Sequence, residues 1–272
     1  MADITLHIDD TGAPEGGGGR PVVLIHGWPL SAEAWDAQTE ALASAGYRVV
    51  AYDRRGFGRS DKPEGGYDYD SFAADLDGVL RELDLTDVTL VGFSMGGGEV
   101  ARYVSAYGQE RIRSVVLAAA VPPFLLQSDD NPDGPLTEEA YQGMRGQLEE
   151  DRDAFLDEFT TGFFSTDAGI QVTEEQRQEA LALAKQSSQA AALGAMDAWA
   201  TTDFRDDIGT ITVPTLVIHG DGDQTVPFEG SGKRSAETIE GSELHVIAGA
   251  PHGLNVSHAD EFNRVLLDFL QR

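Results

Sequence analysis

Short apolar runs alternate with stretches of helical spacing along most of the chain. Pro21–Ile25, Tyr47–Asp53, Val88–Val91, Ser114–Ala118, Pro214–Ile218 and Glu243–Ile247 read as strands. Runs such as Pro21-Val22-Val23-Leu24-Ile25 are what a sheet covered on both faces requires. Helices are expected over Ser31–Gln38 with Ser31 as a cap, over Ser71–Leu83, from Glu99 to Val104, near Ser231–Ile239 and over Ala259–Leu270. Asp3–Ile8 alternates like an exposed first strand, and Gly12–Arg20, with four successive glycines, reads as a flexible loop.

The order strand, helix, strand, helix predicts an α/β fold with a mostly parallel, doubly wound sheet. At Pro122 the rhythm breaks. From there to Val213 the chain offers no convincing strand but has amphipathic stretches at Glu138–Glu149, Asp151–Thr161, Thr173–Lys185 and Gln189–Ala200. We expect residues 1–121 and 214–272 to form a core domain and residues 122–213 a helical lid over the carboxyl ends of the strands, where open sheets bind ligands.

Composition narrows the function. The 272 residues include 47 Asp and Glu against 19 Lys and Arg, a formal charge of −28. That sign argues against nucleic acid as a partner. The acidic excess is spread along the chain, and the lysines are only Lys62, Lys185 and Lys233. Such a surface repels itself in dilute buffer and is screened in concentrated salt, so a halophile's cytosol is the expected setting. No apolar run approaches the ~18 residues of a membrane span. Met1-Ala2-Asp3-Ile4-Thr5 lacks the basic and apolar regions of a signal peptide, so a cytoplasmic enzyme is expected. Without cysteine there are no disulfides or thiolate metal sites. A homo-oligomer is compatible with the sequence, which fixes no oligomeric state.

Candidate chemistry centres on Gly92-Phe93-Ser94-Met95-Gly96, between a buried strand and a helix. In that context Gly-x-Ser-x-Gly is a nucleophile turn. The glycines remove Cβ clashes, and the serine is held strained with its hydroxyl presented at a helix N-terminus. A serine hydroxyl needs a base, and the base an orienting acid. Of the six histidines, His252 alone sits on a loop directly after the last sheet strand, in the order Ser, Asp, His. His7, His26, His219, His245 and His258 read as strand, turn or helix-start residues, with His26 and His219 bonding loop backbone. Asp223 is favoured over Asp221 as the acid because it lies one glycine further from the strand, although either aspartate fits an Asp-Gly turn. The Met95 N–H and the Trp28 N–H are the expected oxyanion donors, since Pro29 has none to give.

Together His26-Gly27-Trp28-Pro29, Asp53–Ser60, Gly92–Gly97, His219–Gln224 and Ala250–Gly253 resemble the α/β-hydrolase superfamily, and within it the cofactor-free haloperoxidase, perhydrolase and aryl-esterase group. The resemblance covers almost the whole chain. It implies Ser94, Asp223 and His252 as a triad, Trp28 and Met95 as oxyanion donors, and neither metal nor other cofactor. The expected pocket residues are Trp28, Pro29, Phe93, Val121, Phe124, Phe159, Phe163, Val226 and Phe228, suiting a small uncharged ester, lactone or carboxylic acid. Members of the resembled group that favour perhydrolysis have proline at the position of Pro29, where a fixed Trp28 carbonyl would accept a hydrogen bond from hydrogen peroxide. A dehalogenase or epoxide hydrolase on such a fold would carry aspartate in place of Ser94. A ligand receptor keeping the triad without turnover is the rival from another class.

Overall fold

The computed structural model describes residues 4–14 and 19–272. Seven strands form the sheet: β1 (Ile8–Asp10), β2 (Pro21–Ile25), β3 (Arg48–Tyr52), β4 (Val88–Phe93), β5 (Ile112–Ala118), β8 (Thr215–Gly220) and β9 (Glu243–Ile247). Their spatial order is β1-β3-β2-β4-β5-β8-β9, antiparallel only at the β1–β3 edge. Every residue of β4 and β8 is buried, as unbroken apolar runs between two helical layers demand. The helices packed on the sheet are α1 (Asp36–Ser44), α2 (Tyr69–Glu82), α3 (Met95–Tyr107), α9 (Gly232–Thr238), α10 (Leu254–Ser257) and α11 (Ala259–Leu270). In α11 the positions Phe262, Val265, Leu266, Phe269 and Leu270 are the buried ones, one stripe of a 3.6-residue repeat. Burying each such side chain is worth about 1.5–3 kcal/mol, before the entropy of ordering it.

Between β5 and β8 come α4 (Glu138–Glu150), α5 (Arg152–Phe163), α6 (Glu174–Ala184), α7 (Gln189–Thr201) and the short α8 (Arg205–Ile208). Polar residues ahead of α4 to α7 start these helices. Thr137, Asp151, Thr173 and Ser188 each accept a backbone N–H of the first turn. The insertion is not strand-free: β6 (Ser165–Thr166) pairs antiparallel with β7 (Gly169–Ile170) across a tight turn. A two-residue ladder carries no apolar periodicity by which to find it.

Two other expectations change. The first strand is displaced: it covers Ile8–Asp10, and Ile8 pairs with Tyr52, while Asp3 lies outside the described residues. Of the glycine-rich Gly12–Arg20 segment, residues 15–18 also lie outside them. Ser31 does not cap a helix with its side chain; the chain turns first through a 3-10 segment at Ala32–Trp35. Asp53 Oδ1 takes the Ala32 N–H instead, at 2.8 Å, and Asp53 Oδ2 takes that of Arg59 at 2.7 Å. The Asp53–Ser60 motif is therefore a clamp that joins the loops after β2 and β3.

Candidate active site

Ser94 sits in the turn between β4 and α3 with φ +55° and ψ −118°, a conformation that L-residues avoid unless the surroundings impose it. Here they do. A Cβ on Gly92 would lie 2.6 Å from the Gly96 carbonyl carbon, and one on Gly27 would lie 2.8 Å from the Phe93 ring and 3.1 Å from Ser94 Cβ. The loop after β2 is thus pressed directly against the serine.

The Ser94 Oγ–H points at His252 Nε2 across 2.9 Å, and His252 Nδ1–H donates to Asp223 Oδ2 across 2.7 Å. These three side chains come from β4–α3, from the loop after β9 and from the loop after β8. All three are buried, Ser94 the least at 6% exposure. Asp223 Oδ1 accepts the N–H groups of Thr225 at 2.9 Å and Val226 at 2.8 Å, which satisfies its second oxygen and fixes the carboxylate plane. Burial pushes the Asp223 carboxyl up, but the His252 beside it, and after it His219, outweigh that and hold the group below the usual carboxylate range. Asp223 stays ionised, as the orienter of an imidazole must. Asp221 is exposed and accepts the Gly249 N–H at 2.5 Å, tying the loop after β8 to the one after β9.

The N–H groups of Trp28 and Met95 have no protein acceptor among the described residues. The Trp28–Pro29 peptide is cis. The Trp28 indole N–H donates to the Ala192 carbonyl of α7 at 3.0 Å, joining this loop to the insertion.

A buried network that the sequence did not announce joins the loops after β2 and β3 to α3. Arg54 Nε donates to Glu99 of α3 at 2.7 Å, and Arg54 Nη2 donates to the His26 carbonyl at 2.9 Å. Tyr52 Oη donates to the other Glu99 oxygen. Burial raises Glu99 even with Arg54 alongside. His26 accepts the Arg54 backbone N–H at Nε2 and donates to the Gly27 carbonyl at 2.9 Å. Burial, reinforced by the Arg54 charge, lowers His26 to about 3, so it is a neutral structural imidazole.

A chamber of about 20 Å³ opens at Ser94, lined by Trp28, Val121, Phe159, Trp199, Thr225 and Val226. It holds about one water molecule. A neighbouring apolar cavity of about 280 Å³ shares Phe159, Trp199 and Thr225 with it. Four expected pocket residues are thus placed at the chamber: Trp28, Val121, Phe159 and Val226. The others are corrected. Phe93 packs behind His252, ring centroids 5.1 Å apart, and against Trp35. Phe163 stands edge-on to His252 at 4.9 Å and lines a separate cleft under α6. Phe124 lies beneath the Arg205 guanidinium, and Phe228 packs on His219 at 5.6 Å. Pro29 is buried beside the chamber without lining it. An apolar side chain signals burial, and only the fold decides which cavity it faces. Trp199 was missed for the same reason, and Thr225 because a polar turn residue carries no apolar signal.

His219, expected to bond only loop backbone, does more. Its Nε2 meets the Val226 carbonyl at 2.8 Å and also lies 3.2 Å from Asp223 Oδ2. No group of three or more His, Asp or Glu side chains among the described residues is placed to hold a metal ion. No helix among them is long and apolar enough to cross a membrane.

This sheet, the Gly-x-Ser-x-Gly turn between β4 and α3 and the inserted helical segment define an α/β-hydrolase. The chain belongs to that family, whose model, described as the alpha/beta hydrolase fold, matches residues 20–259, and it is an enzyme of the group that contains non-heme haloperoxidases and esterases. It is 44% identical to a non-heme chloroperoxidase of Kitasatospora aureofaciens, over 94% of each chain. It is 39% identical to a bifunctional esterase/perhydrolase of Acinetobacter calcoaceticus, over 92% of each. The crystal structure of a bromoperoxidase from Bacillus anthracis superposes with a TM-score of 0.95 at 51% identity, covering 99% of this chain and 96% of the other.

Proposed function

We propose that the protein transfers acyl groups from small uncharged carboxylic esters through a Ser94 acyl-enzyme, with water or hydrogen peroxide as the second acceptor. The observation that carries this is the unbroken chain Ser94 Oγ, His252 Nε2, His252 Nδ1, Asp223 Oδ2, with contacts of 2.9 and 2.7 Å. His252 takes the serine proton as Oγ bonds to the acyl carbon, and the ionised Asp223 stabilises the resulting imidazolium. The unpaired Trp28 and Met95 N–H groups stabilise the developing oxyanion. His252 then returns the proton to the departing alcohol. In the second half-reaction His252 deprotonates water or hydrogen peroxide as its oxygen bonds to the acyl carbon. The bond to Ser94 Oγ then breaks, His252 returns the proton to Oγ, and the acid or the peracid leaves.

The chamber at Ser94 favours a short acyl chain, and its apolar lining without a cationic residue favours an uncharged one. Similarity to proteins named chloroperoxidase and esterase/perhydrolase supports peroxide as an acceptor. We assign the helices between β5 and β8 as the lid, and the cytosol of a salt-rich cell as the setting of the acidic surface.

The test is a partition experiment. Acetyl-enzyme formed from p-nitrophenyl acetate is offered peroxide and water, and peracetate and acetate are counted. Peracetate in clear excess over its share by concentration supports peroxide as acceptor. Acetate alone restricts the protein to hydrolysis.

A further inference from the structure

We propose that His219 is a positioning residue that sets the basicity of His252 through Asp223. This rests on the acyl-transfer reading above. The geometry is a closed ring of contacts. Val226 N–H donates to Asp223 Oδ1 at 2.8 Å, the Val226 carbonyl accepts from His219 Nε2 at 2.8 Å, and that same Nε2 lies 3.2 Å from Asp223 Oδ2. Oδ2 is also the oxygen that receives the His252 proton. Two imidazoles therefore meet one carboxylate oxygen, one from the loop after β9 and one from β8 itself.

The protonation state of His219 follows from its partners. A carbonyl oxygen only accepts, so Nε2 carries the hydrogen. Nδ1 is fully buried with no partner, and a second N–H there would be an unpaired buried charge. The ring is accordingly a neutral dipole with its positive end beside Asp223. It is held there by Phe228 on one side and by α9 on another, where a Cβ on Gly232 would come within 2.9 Å of His219 Cγ. His219 and Asp223 are both essentially solvent-free at their side chains, so the dipole acts with little screening.

Two consequences follow. By holding the Val226 peptide, His219 fixes the turn that orients Asp223. By placing positive potential at Oδ2, it weakens the pull of the carboxylate on the His252 proton and keeps His252 less basic than a free Asp–His pair would make it. The charged or titratable side chains facing Asp223 among the described residues are His219 and His252. Those facing His252 are Asp223 and Ser94, with the Phe93 and Phe163 rings filling the remaining sides.

The test compares His219→Phe and His219→Gln with the unaltered protein. The readouts are the acid limb of kcat/KM for p-nitrophenyl acetate and the low-field NMR resonance of the His252 Nδ1 proton. Losing the donor makes His252 more basic, so in His219→Phe the acid limb moves up by about half a pH unit. The low-field resonance moves with it, and kcat falls more than KM rises. Glutamine can present an amide N–H in place of Nε2, and His219→Gln returns both readouts toward their original values. A folded His219→Phe with limb and resonance both unmoved overturns the proposal. Should His219→Phe not fold, Gly232→Ala displaces the ring by its new Cβ; a shifted resonance then supports the assignment and an unshifted one overturns it. The resonance is independent of turnover, so failure of the acyl-transfer reading would show as full esterase activity in Ser94→Ala, whatever His219 does.

Discussion

Gly92 and Gly96 face each other across the turn that carries Ser94, so close that a methyl group on Gly92 would come within 2.6 Å of the Gly96 carbonyl carbon. The contact is backbone against side chain, so no rotamer change relieves it. Gly92→Ala is expected to cost of the order of 3 kcal/mol or more and to abolish turnover in whatever fraction still folds. Urea unfolding beside an esterase assay checks both. A stable, active variant would show that the turn is looser than these distances require.

Two aspartates follow β8, and they have different partners. Asp223 accepts the His252 Nδ1–H, whereas Asp221 accepts the Gly249 N–H at the surface. Asp223→Asn should lower kcat about 10⁴-fold with little change in melting temperature, because the amide favours the wrong His252 tautomer. Asp221→Asn should leave kcat within about twofold and cost about 1 kcal/mol of stability. Steady-state kinetics and thermal melts of the two variants discriminate them.

Acid stability should depend on His26. The folded protein keeps this imidazole neutral down to about pH 3, while the unfolded chain protonates it near 6.5. The folded-state value is depressed, so its contribution is fully present above about pH 6.5. It is lost as pH falls from there toward 3, by up to roughly 1.4 kcal/mol per unit. Denaturant titrations from pH 7 to pH 4 should show this slope, and His26→Gln should flatten it even though it is less stable overall. An equal slope in both proteins would assign the acid sensitivity elsewhere.

How much of this was legible beforehand follows from what a linear pattern can encode. The β4–Ser94–α3 turn was readable because glycine spacing and hydrophobic periodicity are local. His252 was readable from chain order and its loop position. The contact of His219 with Asp223 was not, since it exists only once the 220–226 turn closes on β8. Phe93 and Phe159 look alike in sequence, yet one backs His252 and the other walls the chamber. The Arg54–Glu99 pair joins residues 45 apart in sequence, and no local pattern marks two such charges as partners.

Chamber size should set acyl-chain preference. Phe159, Trp199 and Thr225 line both the 20 Å³ chamber and the neighbouring 280 Å³ cavity, and Trp199 is the bulkiest of the three. Trp199→Ala is expected to raise kcat/KM for octanoyl relative to acetyl esters about tenfold or more, given the ~1–3 kcal/mol that one methylene commands in an apolar pocket. A p-nitrophenyl ester series measures the ratio. An unchanged ratio would place the acyl chain on another path.

The acidic surface should make stability rise with salt. With a formal charge of −28, self-repulsion is strong in dilute buffer and largely screened at 1 M, where the Debye length is ~3 Å. The melting temperature in molar KCl is expected to exceed that in dilute buffer by several degrees. Equal values would remove the argument for a salt-rich cytosol.

The most direct measurement is intact mass after brief exposure to p-nitrophenyl acetate, made on the unaltered protein and on Ser94→Ala. The unaltered protein should gain one acetyl group, mapped to Ser94, and release p-nitrophenol in a burst. Ser94→Ala should gain none and lose turnover by orders of magnitude. An acetyl group carried elsewhere, or full activity without the Ser94 hydroxyl, would contradict the account.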